Sequence, residues 1–164
     1  MLTSLGRIAE MKTKNKIVLA SGVFDLIHFG HIKFLEEAKK CGGKKAKLVV
    51  IIARDDTVKK KKGKHPVLPD DERRVIVESL KPVDAALLGN EPFDIESIIK
   101  ECKPDMIVFG HDQTLIKPIE KHIRKHKLPI KIIKIKKFGK EAINSSSKIK
   151  SRLISQLKNI SNLL

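Results

Sequence analysis

From Lys16 onward the apolar positions follow two alternating rhythms. Short β-branched runs at 17–20, 48–53, 85–88, 106–109 and 130–135 predict strands. Longer stretches at 32–40, 69–80, 95–102, 115–127 and 148–160 carry apolar residues three or four apart and predict helices. Ile32, Leu35 and Ala38 share one face of the first, and Ile149, Leu153, Leu157 and Ile160 form one stripe on the last. Pro69 followed by Asp70, Asp71 and Glu72 reads as a helix start, with the acids at the positive end of the dipole. The run LVVIIA at 48–53 has no polar alternation, so both of its faces must be covered. Strands alternating with helices imply right-handed crossovers: an α/β class, single Rossmann-like domain of about five parallel strands with helices on both faces. Residues 1–15 show little periodicity and read as an N-terminal extension to a domain spanning 16–164.

In such a sheet, ligands bind beyond the carboxyl ends of the strands. Gly22, Arg54, Gly89 and Gly110 fall at those positions. Charge narrows the partner. The chain has 35 Lys+Arg against 19 Asp+Glu, a net charge of +16, and residues 115–164 hold 14 of the basic residues but only Glu120 and Glu141. A surplus of this kind suits nucleic acid, a membrane surface or a small anion. No apolar run approaches the roughly 20 residues that span a bilayer, and the N-terminus lacks a signal-peptide apolar region, so a cytoplasmic protein without a membrane partner is expected. Cys41 and Cys102 are too few for a disulfide framework or a four-ligand zinc site and read as reduced thiols.

The first strand end carries the densest chemistry, in the run Ser21-Gly22-Val23-Phe24-Asp25-Leu26-Ile27-His28-Phe29-Gly30-His31. A glycine admits a phosphate close to the backbone, and a helix starting near Gly30 aims free N–H groups at the same point. His28 and His31, three apart at that start, can both donate to one anion. An isolated pair would read as a helix cap plus a core residue, and a metal site lacks its third ligand nearby; the strand, glycine and helix context favours the anion reading. Lys59–Lys64 (KKKKGK) reads as a solvated loop after strand two. Ser145, Ser146 and Ser147 precede the last helix, where hydroxyls either cap orphan N–H groups or bind phosphate. Asp112, after strand four, is a candidate helix cap.

The run from Gly22 to His31 resembles the G-x-F-D-x-x-H-x-G-H signature of the cytidylyltransferase-like nucleotidyltransferase superfamily. Asn144-Ser145-Ser146-Ser147-Lys148-Ile149 is similar to its second signature, with Asn144 where Ile is usual. The resemblance implies that His28 and His31 stabilise attack on the α-phosphate of a nucleoside triphosphate, together with Lys64. It implies a nucleotide site formed by Gly22, Val23, Phe24, Phe29, Gly30, Arg73, Gly110, Asp112 and the three serines. Asp112 would then recognise the ribose or base. It further implies a divalent ion, Mg2+, held through the triphosphate rather than by a protein cage, and a homodimer.

From 16 to about 157 the chain is most similar to the archaeal FAD synthases, in A-R-D-D-T-V-K-K-K-K-G-K-H-P-V-L-P-D-D-E-R-R, L-K-P-V-D-A-A-L-L-G-N and G-H-D-Q. That likeness implies transfer of AMP from ATP to FMN, giving FAD and pyrophosphate. His111 departs from the residue usual between Gly110 and Asp112. The alternative within the superfamily is a cytidylyltransferase that takes CTP and glycerol-3-phosphate or another polyol phosphate. A basic nucleic-acid-binding protein on the same fold is a third reading. It lacks aromatic interleaving, because the chain has no Trp or Tyr, so no specific nucleic-acid partner is expected.

Overall fold

The computed structural model describes residues 4–110, 115–136 and 145–161. In chain order the elements are α1 (Ser4–Lys12), β1 (Ile17–Gly22), α2 (Phe29–Cys41), β2 (Lys47–Ile52), α3 (Asp55–Lys62) and α4 (Asp70–Glu78). There follow β3 (Ala85–Leu88), α5 (Ile95–Cys102), β4 (Met106–Phe109), α6 (Ile116–Lys125), β5 (Lys131–Lys134) and α7 (Ser146–Ser161). All five strands run parallel in the order β3-β2-β1-β4-β5.

The uninterrupted apolar strands do bury both faces, because successive side chains point to opposite sides of a sheet. Val18, Ala20, Leu48, Val50 and Ile52 meet Leu35 and Ala38 of α2 and Val77 of α4 on one side. Ile17, Leu19, Val49 and Ile51 meet Ile8 of α1, Ile98 and Cys102 of α5, and Ile119 and Ile123 of α6 on the other. The amino ends of the strands are pinned by two aspartates. Asp105 accepts from Ile17 N at 2.8 Å and Lys12 Nζ at 2.6 Å, and Asp84 accepts from Leu48 N at 2.8 Å while pairing with Lys39 and Lys47. Those polar anchors lie away from the strands' carboxyl ends and leave that edge to the ligand.

Three expectations change. Residues 4–12 of the expected loose extension form α1, which fixes buried Ile8 against the sheet. The lysine run is the last turn of a helix missed by periodicity, α3, where four cations sit at the negative end of the dipole and Gly63 closes the helix with φ 70°. Its only buried residue is Val58, too little to leave a periodic trace. The last helix starts at Ser146, two residues early; Ile149 of its stripe is half-buried, whereas Leu153 and Leu157, with Ile154 beside them, are exposed.

Candidate active site

β1 ends in a loop whose shape its residues dictate. A Cβ on Gly22 would sit 2.7 Å from the ring of Phe24, so only glycine lets that ring fold back onto the strand end. Phe24 and Leu26 both take left-handed φ values, 52° and 51°, a strained backbone for residues with side chains and one found mostly at functional sites. Phe24 is buried and supports the ring of His31 at 5.1 Å.

His28 is the residue at which α2 begins, in extended conformation and without a side-chain cap on the helix. Its carbonyl accepts from His31 N at 2.9 Å, which sets the two rings one above the other with centroids 3.7 Å apart. Nδ1 of His28 is buried without a hydrogen-bond partner among the described residues, and burial lowers the imidazole's pKa. The ring is therefore a neutral donor near pH 7, beside the uncapped positive end of a helix. That pairing suits a phosphate.

Asp25 and Arg73 hold this loop in place. The carboxylate of Asp25 accepts from Val67 N at 2.9 Å, Leu68 N at 3.3 Å and Lys150 Nζ at 2.8 Å. Burial pushes its pKa up, but the Lys150 hydrogen bond and those two backbone N–H groups outweigh it and lower the value overall. Its carbonyl accepts from the Ser146 hydroxyl, so one residue joins the β1 loop, the approach to α4 and the start of α7. Arg73 has 0% exposure, and its guanidinium donates to the carbonyls of Val23, Ala53 and Leu68 and to the carboxylate of Asp55. Arg73 was expected on the nucleotide; instead it is committed to the backbone of the loops around the cleft. Asp55 and Asp70 complete the support: each accepts from the other's backbone N–H, at 3.2 and 3.1 Å, and Arg54 pairs with Asp70.

A cleft of about 480 Å³ opens over the carboxyl ends of the strands. It is lined by Gly22, Val23, Phe24, His28, Gly30, His31, Lys64, Gly110, Ser145, Ser146 and Ser147, residues from opposite ends of the chain. Ser145 Oγ accepts from Lys148 N at 3.3 Å, so this serine caps α7. Phe29 is not in the lining: it is 48% exposed and lies under Lys33, whose Nζ is 5.4 Å from the ring. Asp112 lies outside the described residues. Among the described residues no group of three His, Cys, Asp or Glu is placed to hold a metal ion.

Residues 19–152 match the family model for cytidylyltransferase-like proteins. The chain belongs to the cytidylyltransferase-like family. Within it, the FAD synthase of Aciduliprofundum boonei is 42% identical over 85% of this chain and 91% of that protein. The FAD synthase of Methanopyrus kandleri is likewise 42% identical, over 85% of this chain and 92% of its own length. Among solved structures, a lipopolysaccharide core biosynthesis protein from Thermoplasma volcanium superposes with TM-score 0.69 at 39% identity, covering 76% of this chain and 99% of that one.

This cytidylyltransferase-like cleft also contains residues that motif reading passed over. Asp25 stood inside the signature without a role. Lys61, set aside as part of a solvated run, lines the cleft with Arg54, Thr57, His65, Asn90, Phe93, Lys136 and Lys150. Spacing along the chain carries no trace of these, because they come from loops that only the sheet brings together. Arg54 alone was flagged by its place after a strand.

Proposed function

We propose that this chain is an FAD synthase, transferring AMP from ATP to FMN. A phosphate oxygen of FMN attacks the α-phosphorus of ATP; the new P–O bond forms as the bond to the β-phosphate oxygen breaks, and pyrophosphate leaves. The observation that carries the reading is the stacked His28–His31 pair at an uncapped helix start, in a cleft shared with Lys64 and the serine turn. These groups stabilise charge that grows on the α-phosphate and leaving group, and positioning supplies the rest. Mg2+ would be carried in by the triphosphate, whose oxygens provide hard ligands. No protein nucleophile is required.

Purified protein incubated with FMN, ATP and Mg2+ is expected to yield FAD and pyrophosphate by chromatography. No FAD, with CDP-polyol formed from CTP and a polyol phosphate, would transfer the assignment to the cytidylyltransferase alternative. The nucleic-acid reading draws on the basic surplus of residues 115–164, and the chain has no Trp or Tyr to serve as platforms for stacked bases. We place the reaction in the cytoplasm, where both substrates are dissolved anions.

The active species is proposed to be a homodimer. α7 exposes Leu153, Ile154 and Leu157 beside Lys148, Arg152 and Lys158 and has no acidic residue. α4 and its approach expose Val67 and Val75 beside Asp71 and Glu72. One protomer's α7 on its partner's α4 would cover both apolar sets and bring the basic α7 towards Asp71 and Glu72.

A further inference from the structure

The cleft has two ends. Gly110 and Leu115, which follow β4, line one of them, at the β1–β4 boundary where the strand order reverses and where open α/β sheets bind nucleotides. The other end lies beyond β2 and β3, and there the lining changes character: Phe93 stands 39% exposed, with Lys61 Nζ 5.8 Å from its ring centroid. A large apolar side chain held at the mouth of a polar cleft is left for a ligand to cover.

The loop that presents Phe93 is braced at three points. Gly89 N donates to Ile52 O at 2.8 Å, Lys60 pairs with Glu91 at 3.0 Å, and Asp94 caps α5 through Glu96 N at 2.9 Å. The ring is thus offered on a fixed support, so little ordering entropy would be lost when it is covered.

We propose that Phe93 and Lys61 form the subsite for the acceptor's planar three-ring system, which stacks on Phe93 while Lys61 turns its ammonium to the ring's carbonyl edge. This rests on the FMN reading above and deepens it. FMN has a phosphate that must reach the histidine pair, a flexible ribityl arm and a flat heteroaromatic head, and the head needs an apolar plane. A glycerol-phosphate acceptor has nothing to lay there. Stacking of a planar base on an aromatic side chain is worth about 1–3 kcal/mol by alanine substitution, which corresponds to roughly five- to a hundredfold in affinity.

The test compares wild type with Phe93→Ala, Phe93→Tyr and Lys61→Met, each checked for an unchanged thermal melt. Riboflavin, which keeps the rings and lacks the phosphate, is added as a competitor against FMN. Phe93→Ala is expected to raise both KM for FMN and the riboflavin inhibition constant about tenfold, with KM for ATP within twofold. Phe93→Tyr, which retains a flat ring, is expected to restore both, and Lys61→Met to weaken both by a smaller factor. An unchanged KM for FMN in Phe93→Ala, or equal rises in the KM values for FMN and ATP, would overturn the subsite while wild-type FAD formation left the parent reading intact. Wild type that makes no FAD would remove the parent reading instead.

Discussion

His28 combines two properties that oppose each other: burial disfavours its charged form, and yet its side chain lines the cleft proposed to take an anion. A neutral imidazole can still donate one N–H, and the uncapped start of α2 supplies positive potential without a proton to lose. Replacing His28 or His31 by Ala is expected to lower kcat by about 10²–10³, as for loss of one preorganised donor, measured as FAD formed per minute at saturating ATP and FMN. Burial also fixes a pH signature. The folded pKa lies below the ordinary 6.5, so the unfolded chain binds more protons between those two values. This contribution to stability is therefore full above 6.5, falls as pH drops through the window, and levels off below the folded pKa. Urea melts of His28→Asn are expected to show a flatter loss of stability below pH 6.5 than wild type.

At the level of elements, the cleft is an assembly of loops that no single helix or strand stabilises. α3 has one buried residue and α7 lies largely outside the core, so their approach to β1 depends on polar ties. Arg73 connects the loop after β1, the end of β2 and the start of α3, and Asp25 connects the β1 loop with the entry to α4 and with α7. Arg73→Met would leave three carbonyls without their donor and, among the described residues, Asp55 with only the Asp70 N–H on its carboxylate. It is expected to cost about 3–5 kcal/mol in denaturant unfolding, the range for breaking a buried charged network from one side. A side chain that merely contacted nucleotide from the surface would raise KM for ATP and leave unfolding unchanged.

At the scale of the molecule, the +16 charge and the outward stripe of α7 are the features that one protomer does not use. The basic surface favours encounter with anionic substrates, an effect that fades as salt shortens the Debye length. The stripe calls for a partner. Leu157, 65% exposed, is more open than Leu153 or Ile154. Leu157→Glu is expected to convert a dimer to a monomer in light scattering after gel filtration; a wild-type monomer at tens of micromolar would overturn the homodimer.

Strand periodicity located all five strands to within two residues, and a strand's position in the chain was enough to place Gly22, Gly110 and Arg54 at the binding edge. The histidine pair and the serine turn were equally visible, because a phosphate site at a helix start needs contiguous residues of set types. α1 and α3 were not; α3 buries only Val58, too little for a pattern to repeat. Nor was the fate of Arg73 and Phe93, whose partners lie far away in the chain, or the outward turn of Phe29 at the start of α2. Sequence by itself determined the order of the elements and the chemistry carried on short continuous segments, which depend on local spacing alone. Only the tertiary structure decided which cations are spent holding loops, which aromatic rings face the cleft, and which apolar stripe stays uncovered, because burial is set by contacts between residues far apart in the chain.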